Sequence, residues 1–278
     1  MRGSAKVPLF WGFFAIMPKP PAATPPLFHT VEGEGPPLVL LHGFCADHRS
    51  WNAVRPALAK RFRVITPDLP GCGRSPVPAT ADLATVAAAV VHLLDHLGID
   101  RAAVVGHSMG GYVALELLAQ YPDRLTGLGL LHSHPYAQLS DEEPRERTRS
   151  IAFVERYGAA LYVKQLLPTL FAPNYHDRVE LEKLTHRALE TPAAGIAACQ
   201  RAMLHRADHT ATLSAAPVPV LQVFGEADVV IPTEVGERAS VLPPVGTIHW
   251  LPGVGHSGMI ERPKAVVQLL RDWLDQLE

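Results

Sequence analysis

The run AAVVGHSMGGYVALELLAQ, Ala102–Gln120, decides the fold. Its first four residues are apolar and partly β-branched, the pattern of a buried strand, whereas from Met109 onward the apolar residues recur at helical spacing. Between the two lies GHSMGG, Gly106–Gly111. A strand that turns this sharply into a helix holds Ser108 in a strained conformation with its hydroxyl exposed. The flanking Gly106 and Gly110 stand where so tight a turn tolerates almost no side chain. The helix N-terminus adds free N–H groups and the positive end of a dipole beside that hydroxyl. Ser108 is therefore a candidate nucleophile, and the Met109 N–H a candidate donor to a developing oxyanion.

Outward from this turn the chain alternates strand and helix. Apolar runs at Leu38–Leu41, Val64–Thr66, Leu128–Leu131, Val218–Phe224 and Thr247–Leu251 read as further strands, with Leu27–Val31 an earlier one. Several lack polar alternation, as expected where helices cover both faces of a parallel sheet. Helical patterns at Arg49–Lys60, Asp82–Leu97, Thr233–Val241 and Pro263–Leu277 separate them. This order predicts an α/β class: a mostly parallel sheet with right-handed crossovers. One crossover is too long, because about 80 residues separate His132 from Val218 where a dozen or so suffice. An inserted helical unit is expected there, with a solvated charged start at Asp141–Ser150 and helices over Ile151–Leu170, Val179–Leu189 and Ala193–Leu204.

Composition narrows the function classes. In 278 residues, 25 basic against 27 acidic side chains give a net charge of −2, with no cluster of Lys and Arg to bind a phosphate backbone, so nucleic acid is not an expected partner. Cys45, Cys72 and Cys199 are odd in number and include no CxxC pair, which points away from a disulfide framework and toward a reducing cytoplasm. Residues 1–26 read as an N-terminal extension. Arg2 and Lys6 before the apolar Val7–Met17 resemble a secretion signal or anchor, but the stretch is too short for a stable membrane span, and Met17 is an alternative start.

A serine nucleophile needs a base, and the base an orienting acid. Both belong at the C-terminal ends of later strands, where ligands bind in open α/β sheets. GEADVVIP after Val218–Phe224 offers Asp228, with Glu226 two residues away, and GVGHSGMIERP after Thr247–Leu251 offers His256. In LLHGFCADHRSW, His42 and Gly43 end a strand, which makes the N–H of Phe44 the partner of the Met109 N–H in an oxyanion hole.

With HGF, DLPGCGRS at Asp68–Ser75, GHSMGG, GEADVVIP and GVGHSGMIERP in this order, the chain resembles the capped α/β hydrolases from about Leu27 to Leu277. The order Ser108, Asp228, His256 is that family's nucleophile, acid, base order. The resemblance implies an eight-stranded, mostly parallel sheet with helices on both faces, a core of residues 27–134 and 216–278, a helical cap at residues 135–215 that roofs the pocket, and no cofactor. Serine at the elbow departs from the related epoxide hydrolases and haloalkane dehalogenases, which place aspartate there. The reading that remains is a serine esterase acting on a small or medium hydrophobic carboxylic ester. C–C hydrolase, thioesterase or lactonase chemistry, and a ligand-binding role without turnover, are the alternatives.

The remaining candidates line up around this site. His107 in the elbow, His132 and His134 in LLHSHP, and Tyr157, Tyr162 and Phe171 in the insert are the expected pocket residues. His92 and His96 have metal-like spacing but belong on a solvated helix face, so no metal site is expected, and HRADH at His205–His209 is read the same way. Cys45, beside the oxyanion loop, is read as a small buried hydrophobe. The composition specifies no oligomeric state.

Overall fold

The computed structural model describes residues 27–80 and 82–277; the expected extension, residues 1–26 with Met17, lies outside the described residues. Seven strands, β1 (His29–Glu32), β2 (Pro37–Leu41), β3 (Arg63–Pro67), β4 (Ala102–His107), β5 (Leu125–Leu131), β6 (Val220–Gly225) and β7 (Gly246–Leu251), form one sheet in the order β1-β3-β2-β4-β5-β6-β7. All pairings are parallel except β1 with β3. The resemblance implied eight strands; among the described residues there are seven, which leaves the antiparallel β1 at the edge.

Strand order reverses between β2 and β4. The chain leaves β2 for β3 on one side and returns through β4 to the other, so the loops after β2 and β4 diverge and open a crevice at their C-terminal ends. Register brings the other strand ends to the same edge. Leu41 pairs with Gly106, His107 with Leu131, Leu131 with Val223 and Gly225 with Leu251.

The inner strands β2 to β6 are buried on both faces, and their two-residue period divides them between two cores. Val39, Leu41, Ile65, Val104 and Leu128 face α2 (Leu83–His96) and α3 (Met109–Gln120). Leu38, Leu40, Val64, Val105 and Val223 face α11 (Pro263–Leu274), with α1 (Arg55–Leu58) at one end. Asp82 starts α2 by accepting the N–H of Thr85 at 2.6 Å. The expected helix Arg49–Lys60 is instead a 3-10 turn, His48–Trp51, followed by α1, because Asp47 caps the turn and Pro56 re-nucleates the chain after it.

Between β5 and β6 run α4 (Glu143–Tyr157), α5 (Ala159–Leu166), α6 (Arg178–Leu189), α7 (Ala193–Leu204) and α8 (Thr210–Ser214). Two expectations are corrected here. The charged start Asp141–Ser150 is not wholly solvated, since Pro144 and the acidic Glu143 and Glu146 suit a helix N-terminus, α4 begins within it, and Glu143 and Arg147 line a cavity. The single helix Ile151–Leu170 is broken at Gly158, whose φ of +82° no β-carbon would tolerate easily, so α5 restarts with a different phase. Ile151, Val154, Val163 and Ile196 form a separate apolar cluster that includes Cys45 from the loop after β2. Finally, α9 (Thr233–Ser240) and α10 (Gly258–Glu261) follow the β6 and β7 loops.

Trp273 of α11 shows how tightly the second core is set. It is 1% exposed, and a β-carbon on Gly127 of β5 would stand 2.8 Å from its ring. Trp273→Ala should therefore destabilise the protein by about 3–5 kcal/mol, read as a lower denaturant midpoint with an unchanged far-ultraviolet spectrum in buffer.

Candidate active site

Ser108 links β4 to α3 with φ +50° and ψ −116°. The conformation is held from several sides: its N–H donates to the Leu131 carbonyl at 2.9 Å, and its carbonyl accepts from the Ser133 hydroxyl at 3.0 Å and from the Gly111 N–H at 2.8 Å. A β-carbon on Gly106 would overlap the Gly110 carbonyl, and one on Gly110 the Leu41 carbonyl. Gly111, a third glycine whose role the motif alone did not indicate, lies against the Ser133 side chain in the same way. Among the described residues, three non-glycine residues have positive φ: Cys45, Ser108 and His132, at the ends of β2, β4 and β5. Backbone strain is thus gathered at one edge of the sheet.

The loop after β2 is pinned by buried His42. Its Nε2 accepts the Leu69 N–H at 2.9 Å, which puts the proton on Nδ1 facing the Gly43 carbonyl at 2.8 Å. Burial lowers its pKa, outweighing that bond and the nearby Asp68. Gly43 is needed because a β-carbon there would come within 2.6 Å of His107 Nδ1. Among the described residues, neither the Phe44 nor the Met109 N–H has an acceptor within the protein.

Asp228 and His256 meet across the β6 and β7 loops. Asp228 Oδ1 accepts the N–H groups of Val230 (2.8 Å) and Ile231 (3.0 Å), while Oδ2 lies 2.8 Å from His256 Nδ1. Burial alone would raise the Asp228 carboxyl; the cationic form of His256 and hydrogen bonds from His132 and His256 outweigh it and hold the group far below the usual carboxylate range. Glu226, the other acid considered, is exposed. The loop that carries His256 is braced by Glu261, whose carboxylate accepts the N–H groups of Gly255 (3.1 Å) and Ser257 (3.2 Å).

Ser108 and His256 line one cavity of about 380 Å³. The expected pocket residues divide. His107, His134 and Tyr162 line the cavity with Phe44. His134 is neutral, lowered to about 3 by burial and then by Arg206; it accepts the Tyr136 N–H at 3.2 Å and faces the Tyr112 hydroxyl at 3.0 Å. His107 is pushed well below the ordinary imidazole range by burial and then by the His256 and His132 rings, and its Nε2 lies 2.7 Å from the His256 carbonyl.

Three candidates are corrected. Tyr157 is 63% exposed at the end of α4, because the break at Gly158 turns it away from the face that Tyr162 occupies. Phe171 is buried in a small adjoining crevice with Phe44 and His107, stacked on Tyr175 at 4.8 Å. His132 is fully buried behind Asp228 and does not line the cavity.

Sequence reasoning missed Arg147, Gln200 and Glu143 on the cavity wall, where Arg147 bonds Glu143 at 2.9 Å and Gln200 at 3.0 Å. The signal for Glu143 and Arg147 was the charged stretch read as a solvated start; Gln200 stands in the expected helix Ala193–Leu204, where nothing set it apart. His92 and His96 are exposed on α2, and His209 pairs with Glu116 at 3.1 Å. Among the described residues, two clusters have ligand-like spacing, His132-Asp228-His256 and Asp47-His48-Asp68, and in both the carboxylate oxygens accept hydrogen bonds from the histidines or neighbouring N–H groups.

Known proteins share this fold. A family model described as the alpha/beta hydrolase fold matches residues 36–215. The chain is 29% identical to a pimeloyl-[acyl-carrier protein] methyl ester esterase of Aeromonas hydrophila over 87% of this chain and 96% of the relative. A thermophilic esterase from Thermogutta terrifontis superimposes with a TM-score of 0.86 at 33% identity, over 92% of this chain and 96% of that one. The enol-lactonase of Burkholderia xenovorans gives 0.83 at 26%, over 90% and 96%. Matching the family model over residues 36–215 and the esterase structure over 92% of its length, the chain belongs to the α/β-hydrolase family and is a hydrolase.

Proposed function

We propose that the protein cleaves carboxylic esters through an acyl-enzyme on Ser108, with His256 as general base and Asp228 as its orienting acid. One observation carries this reading: the 2.8 Å contact between Asp228 Oδ2 and His256 Nδ1, made by a carboxylate held ionised, at the cavity that Ser108 shares. With Nδ1 committed to Asp228, His256 has Nε2 left to take the Ser108 proton as Oγ attacks the ester carbonyl. The N–H groups of Phe44 and Met109 stabilise the resulting oxyanion. His256 returns the proton to the leaving alkoxide, then activates a water that releases the acid and regenerates Ser108.

We read residues 135–215 as a cap. Leu166 and Leu170 from this segment supply apolar lining that suits a small or medium hydrophobic acyl group, and Arg147, Gln200 and Tyr162 add a polar patch for an oxygen-bearing substituent. The likeness to an enol-lactonase supports lactone opening by the same steps as a second reading. Among the described residues no helix is long and apolar enough to cross a membrane. The three buried, unbridged cysteines support a cytoplasmic setting.

Asp228→Asn should lower kcat by up to about 10⁴-fold with little change in KM, while Glu226→Gln, an exposed loop substitution, should cost less than about tenfold. Steady-state rates on p-nitrophenyl esters at the alkaline plateau check this, and a larger loss in Glu226→Gln would reverse the assignment. Phe44 separates backbone from ring. Phe44→Pro removes the N–H and should cost about 10²–10³-fold in kcat, whereas Phe44→Leu keeps it and should cost far less. Equal losses would mean that the ring, not the N–H, is what matters. Wild-type protein that binds esters without turnover would favour the ligand-binding alternative.

A further inference from the structure

His132 is a buried titratable group for which the acyl-enzyme steps have no use, yet its placement is costly. It follows β5 with φ +49°, a conformation uncommon for residues other than glycine, and it is fully buried. Its backbone N–H continues the sheet by donating to Val223 of β6 at 2.8 Å. Its ring lies between the two loops that carry the acid and the base. On one side Nδ1 is 3.3 Å from Asp228 Oδ2, the same oxygen that meets His256. On the other, Nε2 is 3.2 Å from the N–H of Gly258, two residues beyond His256. A β-carbon on Gly258 would come within 2.5 Å of that nitrogen, so glycine is what permits the approach.

These contacts fix the tautomer. A backbone N–H can only donate, so His132 Nε2 accepts, the ring proton is on Nδ1, and Nδ1 donates to Asp228. We propose that His132 is a positioning residue for the reaction: a neutral imidazole that holds the Asp228 carboxylate by one nitrogen and the His256 loop by the other. The inference rests on the reading of Asp228 as the acid.

Burial lowers the His132 pKa despite the Asp228 bond, which keeps the ring in the neutral state that one donor and one acceptor require. The ionisable groups around it are Asp228 at the β6 end, His256 after β7, His107 at the end of β4 with its ring 6.0 Å away, and Glu261 on α10. The Asp228 oxygen is shared. While His132 donates to it, less of its negative charge is available to His256, so loss of that donor should strengthen the acid's hold on the imidazolium and move the acid limb of kcat to higher pH.

Two side chains separate the nitrogens. In His132→Asn the new amide nitrogen can stand near the place of Nδ1, so the donor to Asp228 is retained. In His132→Gln the longer chain brings an amide oxygen near the place of Nε2, so only the acceptor for Gly258 is retained. His132→Leu retains neither. Expected for His132→Leu and His132→Gln are a kcat lowered about tenfold or more, KM within about twofold, and an acid limb raised by about half a pH unit; His132→Asn should recover most of the loss.

Backbone strain at φ +49° also favours Asn, so the deciding measurement is a double-mutant cycle with Asp228→Asn. The hydrogen-bond role predicts that His132→Leu costs little more once Asp228 is gone. A purely structural role predicts the same fold-loss in both backgrounds, and that result overturns the proposal, as does a folded His132→Leu protein with wild-type kcat and pH profile. If Asp228→Asn alone keeps full activity, the acid assignment fails and the positioning role falls with it; a large Asp228→Asn loss beside an inert His132→Leu rejects His132 only.

Discussion

The backbone of Ser108 cannot relax. At φ +50° it is held by the Leu131 carbonyl on one side and the Ser133 hydroxyl on the other, and α3 begins so close to β4, β2 and Ser133 that Gly106, Gly110 and Gly111 respectively have no space for a β-carbon. That constraint explains much of what surrounds it. The neighbouring strands β2 and β5 must lie in register with β4 for those contacts to exist, and the apolar layers on both sheet faces hold the register. A serine presented in this way projects its hydroxyl into the crevice left where strand order reverses, with the first N–H groups of α3 beside it.

A second constraint is electrostatic. Asp228 carries a charge in a buried position, which is tolerable only because four donors surround it: the N–H groups of Val230 and Ile231 on one oxygen, His256 and His132 on the other. Three imidazoles, those of His107, His132 and His256, pack with ring centres 5.2–6.0 Å apart, and a cluster of that kind avoids mutual repulsion only if most of its members stay neutral. Burial enforces this for His107 and His132. In the proposed mechanism the one imidazole that charges during turnover is the one with the shortest bond to the carboxylate.

Much of this was legible in the residues, for identifiable reasons. The elbow combines three local signals, a β-branched run, a Gly-flanked serine and a helical period, and α3 begins and ends at the residues the pattern indicated. That Asp228 and His256 come to one edge of the sheet was readable because each follows an apolar strand by a few residues. What could not be read depends on contacts between distant segments. Nothing in LLHSHP distinguishes a histidine that lines a cavity, His134, from one that turns behind Asp228, His132, because residues two apart share a strand face and what separates them is the positive φ at His132. Tyr157 was misplaced since the period of α4 was carried through Gly158, and Arg147 was overlooked since a charged run at a helix start looks the same whether its inward face meets solvent or a cavity. The count of eight strands came from resemblance, where the described residues contain seven.

The central claim is that a covalent bond forms at Ser108 during turnover, and trapping that bond tests it most directly. The protein is treated with a fluorophosphonate, digested, and the modified residue located by tandem mass spectrometry, while esterase activity is followed in the same samples. The account predicts one phosphonyl group per chain, on Ser108, with activity lost in proportion to labelling and no adduct in Ser108→Ala. An adduct on another residue that accompanies inactivation, or full hydrolysis by a folded Ser108→Ala protein, would contradict it.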